Sequence, residues 1–240
     1  LIGLCGADAP LPVTGPEGGA LAADVWQLMR DDIDKRLKEV HAEFDGLTFG
    51  FVESSWRQHL TNPSHAAVTA CRSADLIVMA ASEGASTGDP YRIADPASVV
   101  LRAGRPLLVV AREAERMLAK KIVVAWKDTR EARRAVADSL PLLAAAEEVS
   151  VVTVAAEADQ LARDGLMDVV AFLATHSVKA RQELIENPDE YIGLFEFIAT
   201  AGADLIVSGA YGHSRLREWA FGGITRSLLD ETGRNRFMSS

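Results

Sequence analysis

Between residues 203 and 229 the chain spaces its glycines as an anion-holding loop would. The apolar run Leu205-Ile206-Val207 reads as a buried parallel strand. Ser208, Gly209, Gly212 and His213 follow it, and after nine residues beyond Gly212 comes the pair Gly222-Gly223, leading into a helix start at Ile224. Glycine lets backbone N–H groups come close to a phosphate, and a helix N-terminus adds positive dipole. Other chemistry lacks its residues. The chain has no Gly-Lys-Ser/Thr of a Walker loop, no His-Glu-x-x-His, no Cys-x-x-Cys and no Gly-x-Ser-x-Gly. No catalytic acid/base or nucleophile set and no metal-ligand set stands out. Asp204, just ahead of the strand, reads as a cap on the preceding turn rather than as a catalyst.

The elements that position this loop announce themselves through a repeat. Ala74-Asp-Leu-Ile-Val78 recurs as Ala203-Asp-Leu-Ile-Val207, 129 residues later. A period this long marks a duplicated domain rather than a solenoid unit. Strand-like and helix-like segments alternate, which calls for parallel sheets with right-handed crossovers. The expected division is 1–112 and 119–240, with charged residues 113–120 as a linker.

The 240 residues are 48% hydrophobic and 25% charged, enough to build ordinary cores. A net charge of −9 argues against nucleic acid, whose binding needs a clustered basic surface. Cys5 and Cys71 have no ligand spacing and read as reduced, buried thiols. No apolar run approaches the roughly 20 residues that span a bilayer, and no signal peptide is visible, so a cytoplasmic location is expected.

The spacing Gly209-x2-Gly212-x9-Gly222, set directly behind a strand that the chain repeats, resembles the nucleotide loop of the universal stress protein family. The resemblance covers almost the whole chain and is strongest from Lys121 to Leu229. It implies an α/β fold of two tandem doubly wound parallel-sheet domains, adenine-nucleotide α-hydrolase-like, with strand order 3-2-1-4-5 in each. It also implies a stress-response or signalling protein that binds ATP, with Mg2+, and at most hydrolyses it slowly. The implied partners are the nucleotide, the other half of the chain as a pseudo-dimer, and a second copy as a homodimer, without nucleic acid or membrane. A ligand-free interaction protein of the same fold is the alternative.

Carried over by residue, Gly209 and Gly212 would face sugar and phosphates, and Gly222 and Gly223 the phosphate tail. Ala125 and Val154, at two strand ends, would line the base, with Ser208 and Ile224 flanking the glycines. Trp126 is open between core packing and a pocket wall, Lys127 between phosphate contact and a solvated turn, and His213 between phosphate contact and loop packing. The family's Ser or Thr after the last glycine is Gly223 here, and its Asp after the first strand is Lys127. The first half departs further: Ala80 and Glu83 stand at the two glycine positions, and Pro90 and Pro96 interrupt the stretch beyond them. A carboxylate beside phosphate is repulsive, so that half is expected to hold no nucleotide.

In chain order, a helix is expected from Leu21, with Val25, Leu28, Met29, Ile33, Leu37, Val40 and Phe44 on one face. A strand is expected over Leu47–Val52 and a helix from Pro63. Strands at Leu76–Met79 and Pro106–Ala111 flank a helix at Ala97–Arg102. In the second half, strands at Lys121–Trp126, Ser150–Val154, Val178–Ile185 and Leu205–Val207 alternate with helices from Thr129, Leu161 and Glu190. Leu1–Ala7 matches Ser150–Ala156, so the first half is expected to lack its opening strand and helix, leaving unpaired edges on Leu1–Ala7 and Leu76–Met79. Arg234, Asn235 and Arg236 suit a buried strand poorly, so the last strand is expected to be short, at an edge or disordered.

Overall fold

The computed structural model describes residues 1–10, 19–81, 91–211 and 224–240. These divide into two compact units, 1–74 with 86–95 and 75–85 with 96–240.

The first unit holds β1 (Ile2–Ala7), α1 (Gly19–Thr48), β2 (Ser55–Leu60) and α2 (Pro63–Ala70), followed by a 3-10 turn at Cys71–Ser73. β1 and β2 pair in parallel, from Ile2 opposite Ser55 to Ala7 opposite Leu60. Ile33 and Leu37 of α1 are buried with Ala7 and Phe44 packs on Trp56 of β2, whereas Val25 and Leu28 are exposed, so the first part of the apolar stripe does not meet the sheet. Gly3 permits that approach: a Cβ there would fall 2.6 Å from the Trp56 ring and 2.8 Å from Phe44. Asn62 caps α2 by accepting the His65 N–H at 3.1 Å, and Pro63 sits where its missing N–H costs nothing.

The strand expected at Leu47–Val52 does not form. The helix runs on to Thr48, and Gly50, at φ +78°, turns the chain out of it. Leu47, Phe49 and Phe51 are left exposed, and the strand lies further on, at residues 55–60.

The second unit is built on one sheet. Its elements are β3 (Ile77–Ala80), α3 (Pro96–Ala103), β4 (Leu107–Val110), β5 (Lys121–Ala125), α4 (Arg130–Ala145), β6 (Glu148–Ala155), α5 (Gln160–Thr175), β7 (Ala180–Glu186), α6 (Glu190–Ala201), β8 (Leu205–Gly209), α7 (Ile224–Asp230) and β9 (Asn235–Ser239). The seven strands run in the order β3-β4-β9-β8-β5-β6-β7, and all pairs are parallel except β4 with β9. From β7 to β9 this is the expected order 3-2-1-4-5. Thr129, Asp159 and Asp189 cap α4, α5 and α6 through their side-chain oxygens, and Gly202, at φ +61°, ends α6. One face of the sheet, with Ile122, Val124, Val149, Val151, Leu205 and Val207, packs against Val136 and Leu143 of α4 and Leu166, Val169 and Leu173 of α5.

The last strand overturns its expectation. β9 is internal, between β4 and β8, and all five of its residues are buried. Distant partners satisfy most of its polar groups. Asn235 Oδ1 accepts the Ala111 N–H at 2.9 Å while Nδ2 donates to the Asp204 carbonyl at 3.1 Å. Ser239 Oγ donates to Asp138 Oδ2 at 2.8 Å. Asp204 itself accepts the N–H groups of Lys120 and Lys121 at 3.0 and 3.2 Å, a structural role at the start of β5.

β1 and β3 lie in different sheets: among the described residues β1 pairs with β2 and β3 with β4. A lone two-stranded sheet is marginal in water, while interior strands of a larger sheet are protected on both sides. Amides of β1 and β2 should therefore exchange with deuterium well before those of β5, β6 and β8. Equal protection by exchange mass spectrometry would contradict this. No helix among the described residues is long and apolar enough to cross a membrane.

Candidate functional site

In the second unit the chain leaves β5 toward β6 on one side, while β8 lies on the other. The crevice of such a sheet opens at the carboxyl ends of the two strands where the order reverses. Here those ends are Ala125 of β5 and Ser208-Gly209 of β8, and Ala125 stands directly opposite Ser208. The next turn is held by the Trp126 N–H donating to the Val152 carbonyl at 2.8 Å and by Thr153 Oγ1 donating to the Trp126 carbonyl at 3.1 Å.

The expected site residues part company at this edge. The Trp126 indole turns toward α5, where a Cβ on Gly165 would lie 3.6 Å from its Nε1, and it packs on the core. Val154 meets the start of α6, close enough that a Cβ on Gly193 would come 2.8 Å from its Cγ1. Lys127 Nζ is held by both carboxylate oxygens of Glu190, at 2.8 and 2.9 Å, and Asp128 by Arg133. Gly209 has an internal reason to be glycine. A Cβ there would fall 2.5 Å from the Ala132 nitrogen and 2.7 Å from the Glu131 carbonyl carbon, inside the backbone of α4.

Two features remain for a ligand. Ser208 Oγ is buried without a hydrogen-bond partner among the described residues, at the strand end where the crevice opens. Beyond it, Tyr211 takes a left-handed φ of +62°, and its N–H donates to Thr225 Oγ1 at 3.1 Å, tying the loop's first residues to the start of α7. Gly212, His213, Gly222 and Gly223 lie outside the described residues, and Ile224 begins α7. Sequence reasoning missed Thr225 and Glu190. Thr225, two residues beyond the glycine pair, was a hydroxyl within reach of the loop, whereas nothing local to Glu190 pointed to Lys127.

The edge offers backbone groups, a hydroxyl and compensated charges. Among the described residues no group of His, Cys, Asp or Glu could hold a metal ion. The arrangement suits binding.

No protein-family model and no curated protein matches the chain. Solved structures do. A universal stress protein from Archaeoglobus fulgidus DSM 4304 superposes with a TM-score of 0.69 at 12% identity, over 99% of this chain and 86% of that one. A Pseudomonas aeruginosa UCBPP-PA14 structure described with the same family name gives 0.57 at 14% identity, over 99% and 92%. A functionally unknown protein from Pseudomonas aeruginosa PAO1 gives 0.55 at 15% identity, again over 99% and 92%. In strand order, in helix placement and in likeness to solved structures along nearly its whole length, the chain has the fold of the universal stress proteins.

Proposed function

We propose that the chain acts as a tandem universal stress protein in stress response or signalling, binding an adenine nucleotide at the carboxyl edge of its second half, residues 119–240. The observation that carries this reading is the buried Ser208 hydroxyl, without a partner among the described residues, at the point where the strand order reverses. A buried hydroxyl without a partner costs about 1–3 kcal/mol, which a ligand acceptor or donor would offset. Ala125 would line the base, and the loop glycines Gly212, Gly222 and Gly223 would give N–H groups to the phosphates of ATP, with Mg2+ carried by those phosphates. Gly209 acts here as the close contact to α4, and Lys127 would have to leave Glu190 to reach a phosphate. The duplicated strand and the antiparallel pairing of β4, from the first half, with β9, from the second, support a pseudo-dimer of halves 1–112 and 119–240.

Equilibrium binding of fluorescent ATP to the full chain, with Mg2+, tests this. Gly212→Val should abolish binding, because two methyls would occupy the phosphate's space. Ser208→Ala should weaken binding roughly fivefold, the loss of one hydrogen bond, without lowering the melting temperature. An unaltered affinity in a folded Gly212→Val protein would overturn the phosphate cradle. The internal use of Gly209 and Lys127 favours a second reading, an interaction protein without ligand. Absence of ATP binding to the unaltered chain would select it.

A further inference from the structure

At the opposite end of the same strands, a cavity of about 330 Å³ opens between α6 and the beginnings of β5, β6 and β7. That is large enough for a small metabolite. Its charged groups are unequally matched. Glu148 takes both cations of the rim, Lys121 at 3.4 Å and Arg181 at 2.8 Å. Glu183, two residues beyond Arg181 on edge strand β7, has no ion-pair or hydrogen-bond partner among the described residues.

Two hydroxyls line the cavity wall, Ser150 opposite Arg181 and Thr200 on α6. Ser150 is 5% exposed, and its hydroxyl has no hydrogen-bond partner among the described residues. The Thr200 hydroxyl gives its proton to the Glu196 carbonyl at 2.9 Å, so it presents only lone pairs. Phe197 supplies an apolar wall.

We propose that this cavity is a second ligand site, for a small zwitterion of the α-amino-acid class with an apolar side chain. Its ammonium sits against Glu183, and the Ser150 hydroxyl, opposite Arg181 in the strand register, lies nearer the carboxylate. Its carboxylate takes the donors that Lys121 and Arg181 keep free, since among the described residues each is spent only once, on Glu148. Arg181 and Glu183 point to one face of β7, roughly 6.6 Å apart along the strand, a span that an ammonium and a carboxylate on one carbon can bridge. Phe197 takes the apolar side chain. A bare amine would meet two cations with no anion of its own, and a bare carboxylate would face Glu183. The site shares no residue with the crevice at Ser208 and does not depend on nucleotide binding.

Titration of the full 15N-labelled chain with L-leucine tests it, with 3-methylbutylamine and 4-methylpentanoate as single-charge probes. L-leucine should shift the amides around Lys121, Ser150, Glu183 and Thr200, and both probes should bind roughly tenfold more weakly or worse. Glu183→Gln and Arg181→Gln, the first at a partly buried side chain and the second at an exposed one, should each weaken L-leucine binding roughly tenfold while the melting curve stays in place. The proposal falls if L-leucine causes no shift up to roughly 10 mM. It falls equally if either probe matches L-leucine, or if both variants bind like the parent.

Discussion

Gly209→Ala is expected to destabilise the second unit by about 3 kcal/mol, the upper end of overpacking costs. For a chain of this size that is a fall of roughly 6–12 °C in melting temperature. The added methyl would lie 2.5 Å from the Ala132 nitrogen and 2.7 Å from the Glu131 carbonyl carbon. Both are backbone atoms in the first turn of α4, which is tied to its cap at Thr129 and packed on β8, so neither can swing aside as a side-chain tip would. Relief requires the whole helix to lift from the sheet and open contacts in the core. Gly46→Ala is the matched control. It lies within α1 with open space around it and should stabilise that helix by about 0.5–1 kcal/mol, the propensity difference between the two residues. Thermal melts of the two variants should move in opposite directions. A Gly209→Ala protein melting with the parent would mean that β8 and α4 are less tightly apposed than the structure has them. The same geometry makes Gly209 a poor probe of nucleotide binding, because its substitution disturbs the sheet before any ligand arrives.

The second large effect should come from Arg236 and run the other way. Its side chain is fully buried in the internal strand β9. Nη1 donates to the Arg234 carbonyl at 2.7 Å, but Nε and Nη2 have no partner among the described residues. Burial pushes its pKa down to about 10, against the opposing pull of Glu231 and Asp230, so the guanidinium is still charged at neutral pH. A charge held in the interior with part of its hydrogen bonding unmet costs several kcal/mol, and replacing such groups by apolar ones of similar volume is often stabilising by about 1–4 kcal/mol. Arg236→Met, which fills the same space with a flexible apolar chain, should raise stability by about 1–3 kcal/mol. Arg236→Ala should lie about 2–5 kcal/mol below Arg236→Met, through the cavity left behind. Urea denaturation of both variants separates the charge from the volume. Arg236→Met unfolding at markedly lower urea than the parent would show that the guanidinium gains in solution more than its burial costs.

Much of this architecture could be read from residues alone, where local chemistry decides. Asn62, Thr129 and Asp189 sit ahead of helices that they cap, and Gly202 follows one that it ends. Leu205-Ile206-Val207 forms the buried parallel strand that its composition implies, and the strand order from β7 to β9 is the one expected from the resemblance. Each of these depends on a few consecutive residues, or on a pattern that neighbouring residues repeat.

Only the tertiary structure decided the rest, because the deciding partner lies far along the chain. Residues 235–239 look too polar for an internal strand until Ala111, Asp204 and Asp138 are found satisfying Asn235 and Ser239. The apolar run Leu47–Val52 looks like a strand, but α1 continues to Thr48 and the partner of β1 is 55–60. Gly209 reads as a phosphate contact in the sequence and proves to be where α4 touches the sheet, and Lys127, open between two roles, is held by Glu190. A residue's type states what it can bond and how much space it fills. Which distant group occupies that space is set by how strands and helices pack, and that information is not local to the residue.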